Sequence, residues 1–476
     1  MAHGLHKNFP TICFISALAL VLVLNTSSIL NYPYFVGDSG FRLDHAARII
    51  CIWGNRVWLP FLQIHVWALY KCGAPYWAFN FIPILYSLIS TLFLGLLIYR
   101  ILRGTGERLF ISVVMMICFS FQPDIKILSL NLYQEVLETA FFYILLYQGM
   151  LNLEKKWSLL IIASLALLTR ETSFVYLSVI TMMNFKRIIR DKDYLRSFCF
   201  FWSIPLIWFG YCLSRLRRLP SWPWFINTVG PIGKGHPNSF SNLFTALHSS
   251  GVLFFTVAVI LMGLLIFYWS KRIKGPGIEL ESFEAKFMAF SLSSLVIIYS
   301  AYLLFDPWQR TFGNERMVMP LLPHVFIWAG IFYKKIDGFP ARIAVLLKVL
   351  LIACLFSMIV GHKMINRTRP TKGTLCFYYT MQGLGEKYKA PDKPMVCFIG
   401  NNYWKLVERF VGPTLYMDRR YVLRNKTFAF EKCDMVIAPS KLKFDFPRFS
   451  KYDTLDLSHD KYSIYVNVQP KTRRLP

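Results

Sequence analysis

The chain has 476 residues, 55% of them hydrophobic and only 17% charged. Many of its apolar runs approach the roughly 20 residues that cross a bilayer as a helix, so the composition excludes a soluble enzyme and describes a polytopic membrane protein. The formal charge of +27 does not mark a nucleic-acid binder, because basic clusters in such a chain set topology and meet anionic lipid.

The first apolar run, Ile12 to Leu30, is longer than a signal-peptide core of about 7–15 residues and lacks a small-residue exit, so it is expected to stay as an anchor. With Lys7 on the cytoplasmic side, the loop over residues 31–76 lies outside. A second span near Ala78–Ile98 returns to Arg100, Arg103 and Arg108. A third, Leu109–Phe121, exits at Pro123-Asp124, and a fourth near Leu130–Met150 returns to Lys155-Lys156. If Trp157 to Ile180 were one helix, Arg170 and Glu171 would sit at mid-membrane at about 2.5–3.5 kcal/mol each. Two short helices meeting at the outer surface are expected instead, leading back to the inner cluster Lys186, Arg187 and Arg190. Phe198–Leu213, Leu247–Trp269, Phe287–Leu304, Met317–Phe332 and Ile343–Val360 complete about eleven spans and leave the rest outside.

Composition changes abruptly at His362. The segment to Pro476 carries 22 Lys and Arg against 10 Asp and Glu. Short apolar runs at Met395–Ile399, Met435–Ala438 and Tyr462–Val466 read as strands, and Asn401–Phe410 as a helix. The expected organisation is a transmembrane catalytic domain over residues 1–361 and a small extracytoplasmic α/β domain over 362–476. The ten cysteines show no metal-binding spacing, and most fall in apolar segments. Cys51 and Cys72 share the first loop and are candidates to pair in an oxidising compartment.

Charged residues next to or within spans are read first for function. The loop after span one carries Asp38, Arg42, Asp44 and Arg48, two carboxylates and two guanidiniums that suit acid/base chemistry on a phosphate-bearing substrate. Asp44 and Arg48 are also i,i+4 neighbours that can simply pair. Asp38 lies in the turn-like Gly37-Asp38-Ser39-Gly40, where a carboxylate can act as general base or hold a divalent cation. Glu135 and Glu138 share a helix face at the outer end of span four, either as functional carboxylates or as helix-start acids. Arg170 and Arg316 stand at the same outer level, and arginine forks suit phosphate. Arg215, Arg217 and Arg218 on the outer loop Leu216–Asn242 run against the charge rule.

Together these residues resemble the C-type glycosyltransferases, in particular the dolichyl-phosphate-mannose protein mannosyltransferase and lipid A aminoarabinose transferase group. The resemblance rests on Gly37-Asp38-Ser39-Gly40-Phe41-Arg42-Leu43-Asp44-His45-Ala46, on Leu59-Pro60-Phe61-Leu62 with Lys71-Cys72-Gly73-Ala74-Pro75, on Thr169-Arg170-Glu171-Thr172, and on Arg316-Met317-Val318-Met319-Pro320-Leu321-Leu322-Pro323. It covers the membrane part and is strongest over the first 180 residues. Ser39 stands where members often have a second acid, and no basic residue directly precedes Pro60, for which Arg56 is a substitute.

The resemblance implies transfer of a sugar from a polyprenyl phosphate to an acceptor (lipid, glycan or protein) on the extracytoplasmic side. Asp38 would be the catalytic base, with Arg42, Asp44, Arg56, Glu135, Arg170, Glu171 and Arg316 binding substrate. The loop Leu216–Asn242 would gate the site. A transporter or flippase, or a non-catalytic subunit of this fold, is the competing expectation. The expected membrane is the bacterial inner membrane, ahead of the endoplasmic reticulum. The tripeptides at Asn366 and Asn425 fit N-glycosylation but are too short to decide.

Overall fold

The computed structural model describes residues 2–31, 38–48, 60–152, 157–170, 172–216, 248, 252–272, 282–305, 318–360, 395–400, 418–423, 433–441, 449–457 and 460–467. The chain divides into two compact units, one of Met1–Ser27, Trp53–Gln63 and Phe81–Arg367, the other of Ser28–Ile52, Ile64–Asn80 and Thr368–Pro476.

The first unit is helical. Helix α1 (Ala2–Asn31) is followed in the chain by α2 (Asp38–Arg48), which belongs to the second unit, and by α3 (Pro60–Lys71), which is shared between the two. Then come α4 (Phe81–Ile101), α5 (Arg108–Phe121), α6 (Pro123–Ser129) and α7 (Gln134–Tyr147). Two short helices follow, α8 (Trp157–Leu167) and α9 (Thr172–Met183), then α10 (Phe185–Arg190) and α11 (Lys192–Leu216). The last helices described are α12 (Val252–Arg272), α13 (Ser282–Phe305), α14 (Leu322–Ile336) and α15 (Ala341–Val360).

The eleven expected segments all coincide with helices, but the expected count of spans is not what the lengths give. Among the described residues, five helices are long and apolar enough to cross a membrane, or six if the pair α5 and α6 counts as one broken span. Length accounts for part of the difference: α7, α8, α9 and α14 have 14, 11, 12 and 15 residues, short of the roughly 20 that a bilayer needs, whereas α11 has 25. The expected fold-back at Arg170 is present as the α8–α9 turn. Helices of 11 and 12 residues reach only about 17–18 Å, so this turn lies less than a full hydrocarbon thickness of about 30 Å from their other ends. Between α5 and α6 the axis bends by 64° at Gln122-Pro123. Proline fits the first turn of α6, and Gln122 Oε1 caps it by accepting from the Ile125 N–H at 2.8 Å.

Helix α4 packs on α5, α6, α7 and α14. Glycines allow the close approaches, since a Cβ added at Gly330 of α14 would collide with Ile98 of α4, and one at Gly95 with Met116 of α5. At the opposite end of α14 from Pro323, the Tyr333 hydroxyl and Lys348 of α15 (2.9 Å) both donate to the Glu107 carboxylate just before α5, and Lys348 also meets Asp337 at 2.7 Å. The hydrogen bonds from Tyr333 and then Lys348 hold the Glu107 carboxyl below its ordinary value of 4.5. A lowered folded-state value stabilises the protein above the unfolded one and is lost as pH falls through it. Melting temperatures measured from pH 6 downward are therefore expected to fall below pH 4.5, and Glu107→Gln should flatten that fall.

In the second unit, β1 (Met395–Gly400), β2 (Asp418–Leu423), β3 (Met435–Pro439), β4 (Phe449–Leu457) and β5 (Asp460–Asn467) form one sheet in the order β2-β1-β3-β5-β4. β1 pairs parallel with β2 and β3, and β5 pairs antiparallel with β3 and β4. β1, β3 and β5 are the three expected strands. β2 and β4 escaped the sequence because Asp418-Arg419-Arg420 and Lys451-Tyr452-Asp453 break up an apolar reading, and β4 also carries an irregularity between Lys451 and Asp453.

A disulfide joins Cys397 of β1 to Cys433, both fully buried. Two hydrogen bonds align them: Asp434 N–H donates to the Met395 carbonyl, and Met395 N–H donates to Asp434 Oδ2, each at 2.8 Å. The pairing expected at Cys51 and Cys72 is not found: Cys72 is a free, exposed thiol, and Cys51 lies outside the described residues.

Candidate functional site

The turn between α8 and α9 is built by hydrogen bonds of its own side chains and backbone. Thr169 Oγ1 donates to the Leu165 carbonyl at 2.7 Å, and Ser173 N–H donates to the Arg170 carbonyl at 3.2 Å. This presents Arg170 to α7, where Glu135 and Glu138 sit one turn apart on one face. Arg170 Nη1 lies 3.3 Å from Glu138 Oε2 and 3.7 Å from Glu135 Oε1, and the Thr172 hydroxyl donates to Glu138 Oε1. All three charged side chains are buried, Glu135 completely. Burial removes the reading of the two acids as water-facing helix-start residues. The N-cap of α7 is Tyr133, with no side-chain cap bond.

Two of the sequence motifs meet at this turn. The Phe61 N–H of Pro60-Phe61-Leu62 donates to the Leu168 carbonyl at 3.1 Å, and the Phe61 ring packs on Phe141 of α7 at 5.4 Å and on Tyr86 of α4 at 6.3 Å. One helical turn beyond Glu138 and Thr172, Phe142 and Tyr176 form an aromatic layer with His324 of α14, at 4.7 and 5.5 Å between ring centres. Among the described residues, the fully buried His324 has no hydrogen-bond partner at either ring nitrogen. A small cavity beside the ion cluster is lined by Glu138, Phe142, Ser173, Tyr176 and Leu177. At the neighbouring bend, Gln122 Nε2 donates to the buried Asp124 at 2.8 Å.

Asp38 is the first residue of α2, so Asp38-Ser39-Gly40 begin a helix where the sequence suggested a turn, and Gly37 lies outside the described residues. Arg42 and Asp44 are buried on α2, in the second unit. Arg56, Glu171, Arg316, Arg217, Arg218, residues 217–242 of the expected gate, the expected helix Asn401–Phe410, Asn366 and Asn425 lie outside the described residues. Among the described residues, no three His, Cys, Asp or Glu side chains converge closely enough to hold a metal ion. Thr172 and His324 were not singled out by the sequence. A histidine following Pro323 at the start of a span is a visible signal, whereas the bond from Thr172 to Glu138 has none.

No family model matches the sequence, and no curated protein matches it either. Solved structures do match. ArnT from Cupriavidus metallidurans bound to undecaprenyl phosphate aligns over 97% of this chain and 98% of its own, with a TM-score of 0.58 at 11% identity. The same protein in the apo state aligns over 95% and 97%, with a TM-score of 0.54 at 12% identity. The chain has the C-type glycosyltransferase fold. In this chain that fold places the Arg170 cluster at a helix turn inside the first unit and adds a disulfide-linked sheet in the second.

Proposed function

We propose that the chain is an integral-membrane glycosyltransferase that moves a sugar from a polyprenyl phosphate to an acceptor on the extracytoplasmic side, with inversion. The observation that carries this reading is the correspondence of fold over nearly the whole chain with a structure that holds undecaprenyl phosphate. Asp38 accepts the proton of the acceptor hydroxyl as its oxygen attacks the anomeric carbon. The bond from that carbon to the phosphate oxygen breaks on the opposite face, and polyprenyl phosphate leaves. Arg170, with Arg316 and Arg56, supplies positive charge where the leaving phosphate gains negative charge. Arg42, Asp44, Glu135 and Glu171 bind or orient the substrate. Arg170 is held beside Glu138 and Glu135, and a guanidinium fork suits the phosphate of such a donor.

The disulfide supports the sidedness, because structural disulfides persist outside reducing compartments. In intact membranes Cys397 and Cys433 are expected to resist a maleimide label, even in denaturant, until a reductant is added. The double change Cys397→Ala with Cys433→Ala should lower the stability of the sheet by about 2–4 kcal/mol. Immediate labelling in denaturant would place the domain in a reducing compartment.

The function is tested by incubating the purified protein in liposomes with a labelled polyprenyl-phosphate sugar and following both product and free lipid phosphate. Stoichiometric release of polyprenyl phosphate with transfer of label supports the proposal. Donor binding without turnover, over a panel of lipid, glycan and peptide acceptors, favours a non-catalytic subunit.

A further inference from the structure

The elbow that joins α9, α10 and α11 collects charge and apolar surface in a way the transfer reaction does not use. Asn184, between α9 and α10, donates its side-chain amide to the Leu151 carbonyl at 3.2 Å and to the Ile180 carbonyl at 2.9 Å, which hangs the elbow on the 3-10 turn Met150–Asn152. Two cations from different helices then converge on Asn152. Arg187 Nη1 donates to its backbone carbonyl at 2.9 Å, and Lys286 Nζ of α13 donates to its side-chain oxygen at 2.6 Å. The Arg187 guanidinium is also stacked over the Tyr194 ring at 4.2 Å, so it is held in place rather than loose in solvent.

Lys186, Arg190, Lys192 and Arg196 are exposed beside them. Against these cations stand Asp191 and Asp193, and Asp191 Oδ1 is already accepting the Asp193 N–H at 2.9 Å. A solvated basic face would have polar neighbours. Here the cations alternate with Met182, Phe185 and Ile189, which are 73%, 57% and 61% exposed. Buried Ile188 anchors α10 from beneath. Large apolar side chains pointing outward among outward-pointing cations match a membrane interface, with the apolar groups in the acyl region and the cations at phosphates.

We propose that this elbow is a seat for the headgroups of anionic phospholipids, with Arg187 and Lys286 as its fixed cations and Lys186, Arg190, Lys192 and Arg196 around them. It is distinct from the Arg170 cluster, since α9 separates the two by 12 residues, about 18 Å of helix. It stands independently of the transferase reading.

The test places the purified protein in nanodiscs of phosphatidylcholine with or without phosphatidylglycerol and measures thermal unfolding, with native mass spectrometry of lipids retained after detergent extraction. The wild type is expected to retain phosphatidylglycerol and to unfold at higher temperature with it present. Combined Lys186→Gln, Arg190→Gln, Lys192→Gln and Arg196→Gln should weaken retention by at least about tenfold, since each cation near an anionic surface adds to the attraction. Arg103→Gln with Arg342→Gln, exposed cations elsewhere, should leave retention unchanged.

If the fourfold variant does not fold, wild type alone decides. The phosphatidylglycerol effect should shrink between about 0.15 and 1 M salt, where the screening length falls from about 8 to 3 Å. Inorganic phosphate should not reproduce it. Equal retention by the fourfold variant, equal stabilisation by phosphatidylcholine, or full reproduction by free phosphate would each overturn the proposal.

Discussion

Arg170→Ala is expected to lower the stability of the membrane bundle by about 3–5 kcal/mol and to remove sugar transfer. The stability loss comes from what stays behind. Glu138 and Glu135 remain buried without the guanidinium that stands 3.3 and 3.7 Å away, and a buried charge that loses its partner is far more costly than the intact pair is favourable. Adding Glu138→Gln should recover part of the loss, because a neutral amide still accepts from Thr172 and needs no counter-charge. Unfolding in graded denaturant, read for the single and double variants, checks both statements. A single variant within about 1 kcal/mol of wild type would show that the cluster does not hold α7 to the α8–α9 turn. Arg170→Lys separates the two roles: it keeps the charge but not the fork, so stability should return further than transfer does.

Asp38→Asn is expected to reduce transfer by about 10²–10⁴-fold while changing stability little. Asp38 is the first residue of α2. Asparagine has the same shape and is about as good as aspartate at a helix start, so folding is preserved while the basic oxygen is lost. The readout is product formed from a labelled polyprenyl-phosphate donor at matched protein levels. Full transfer by a well-folded Asp38→Asn protein would remove Asp38 from the role of base and move the search to the other carboxylates.

Much of the helical order was legible because its causes are local. Apolar run length marks each helix, and the position of Arg170 and Glu171 inside residues 157–180 forces a break there, since neither charge is tolerated at mid-membrane. The number of spans is less legible: hydropathy marks where a helix is apolar but not where prolines and polar turns end it, as at Gln122-Pro123 and before Leu322. Alternating apolar residues exposed β1, β3 and β5, whereas the charged β2 and β4 are strands because a neighbour pairs with them.

The sequence by itself determined that this is a membrane protein of helices with a terminal α/β part, and it named Glu135 and Arg170 as charges needing an explanation. Only the tertiary structure decided what those charges meet. Arg170 finds Glu138 across 32 residues, Thr172 finds it across 34, and Cys397 finds Cys433 at a separation of 36. No local periodicity encodes such pairs. They follow from helix packing and strand pairing, which bring a turn, a helix face or a strand to a partner whose own sequence neighbourhood gives no sign of it.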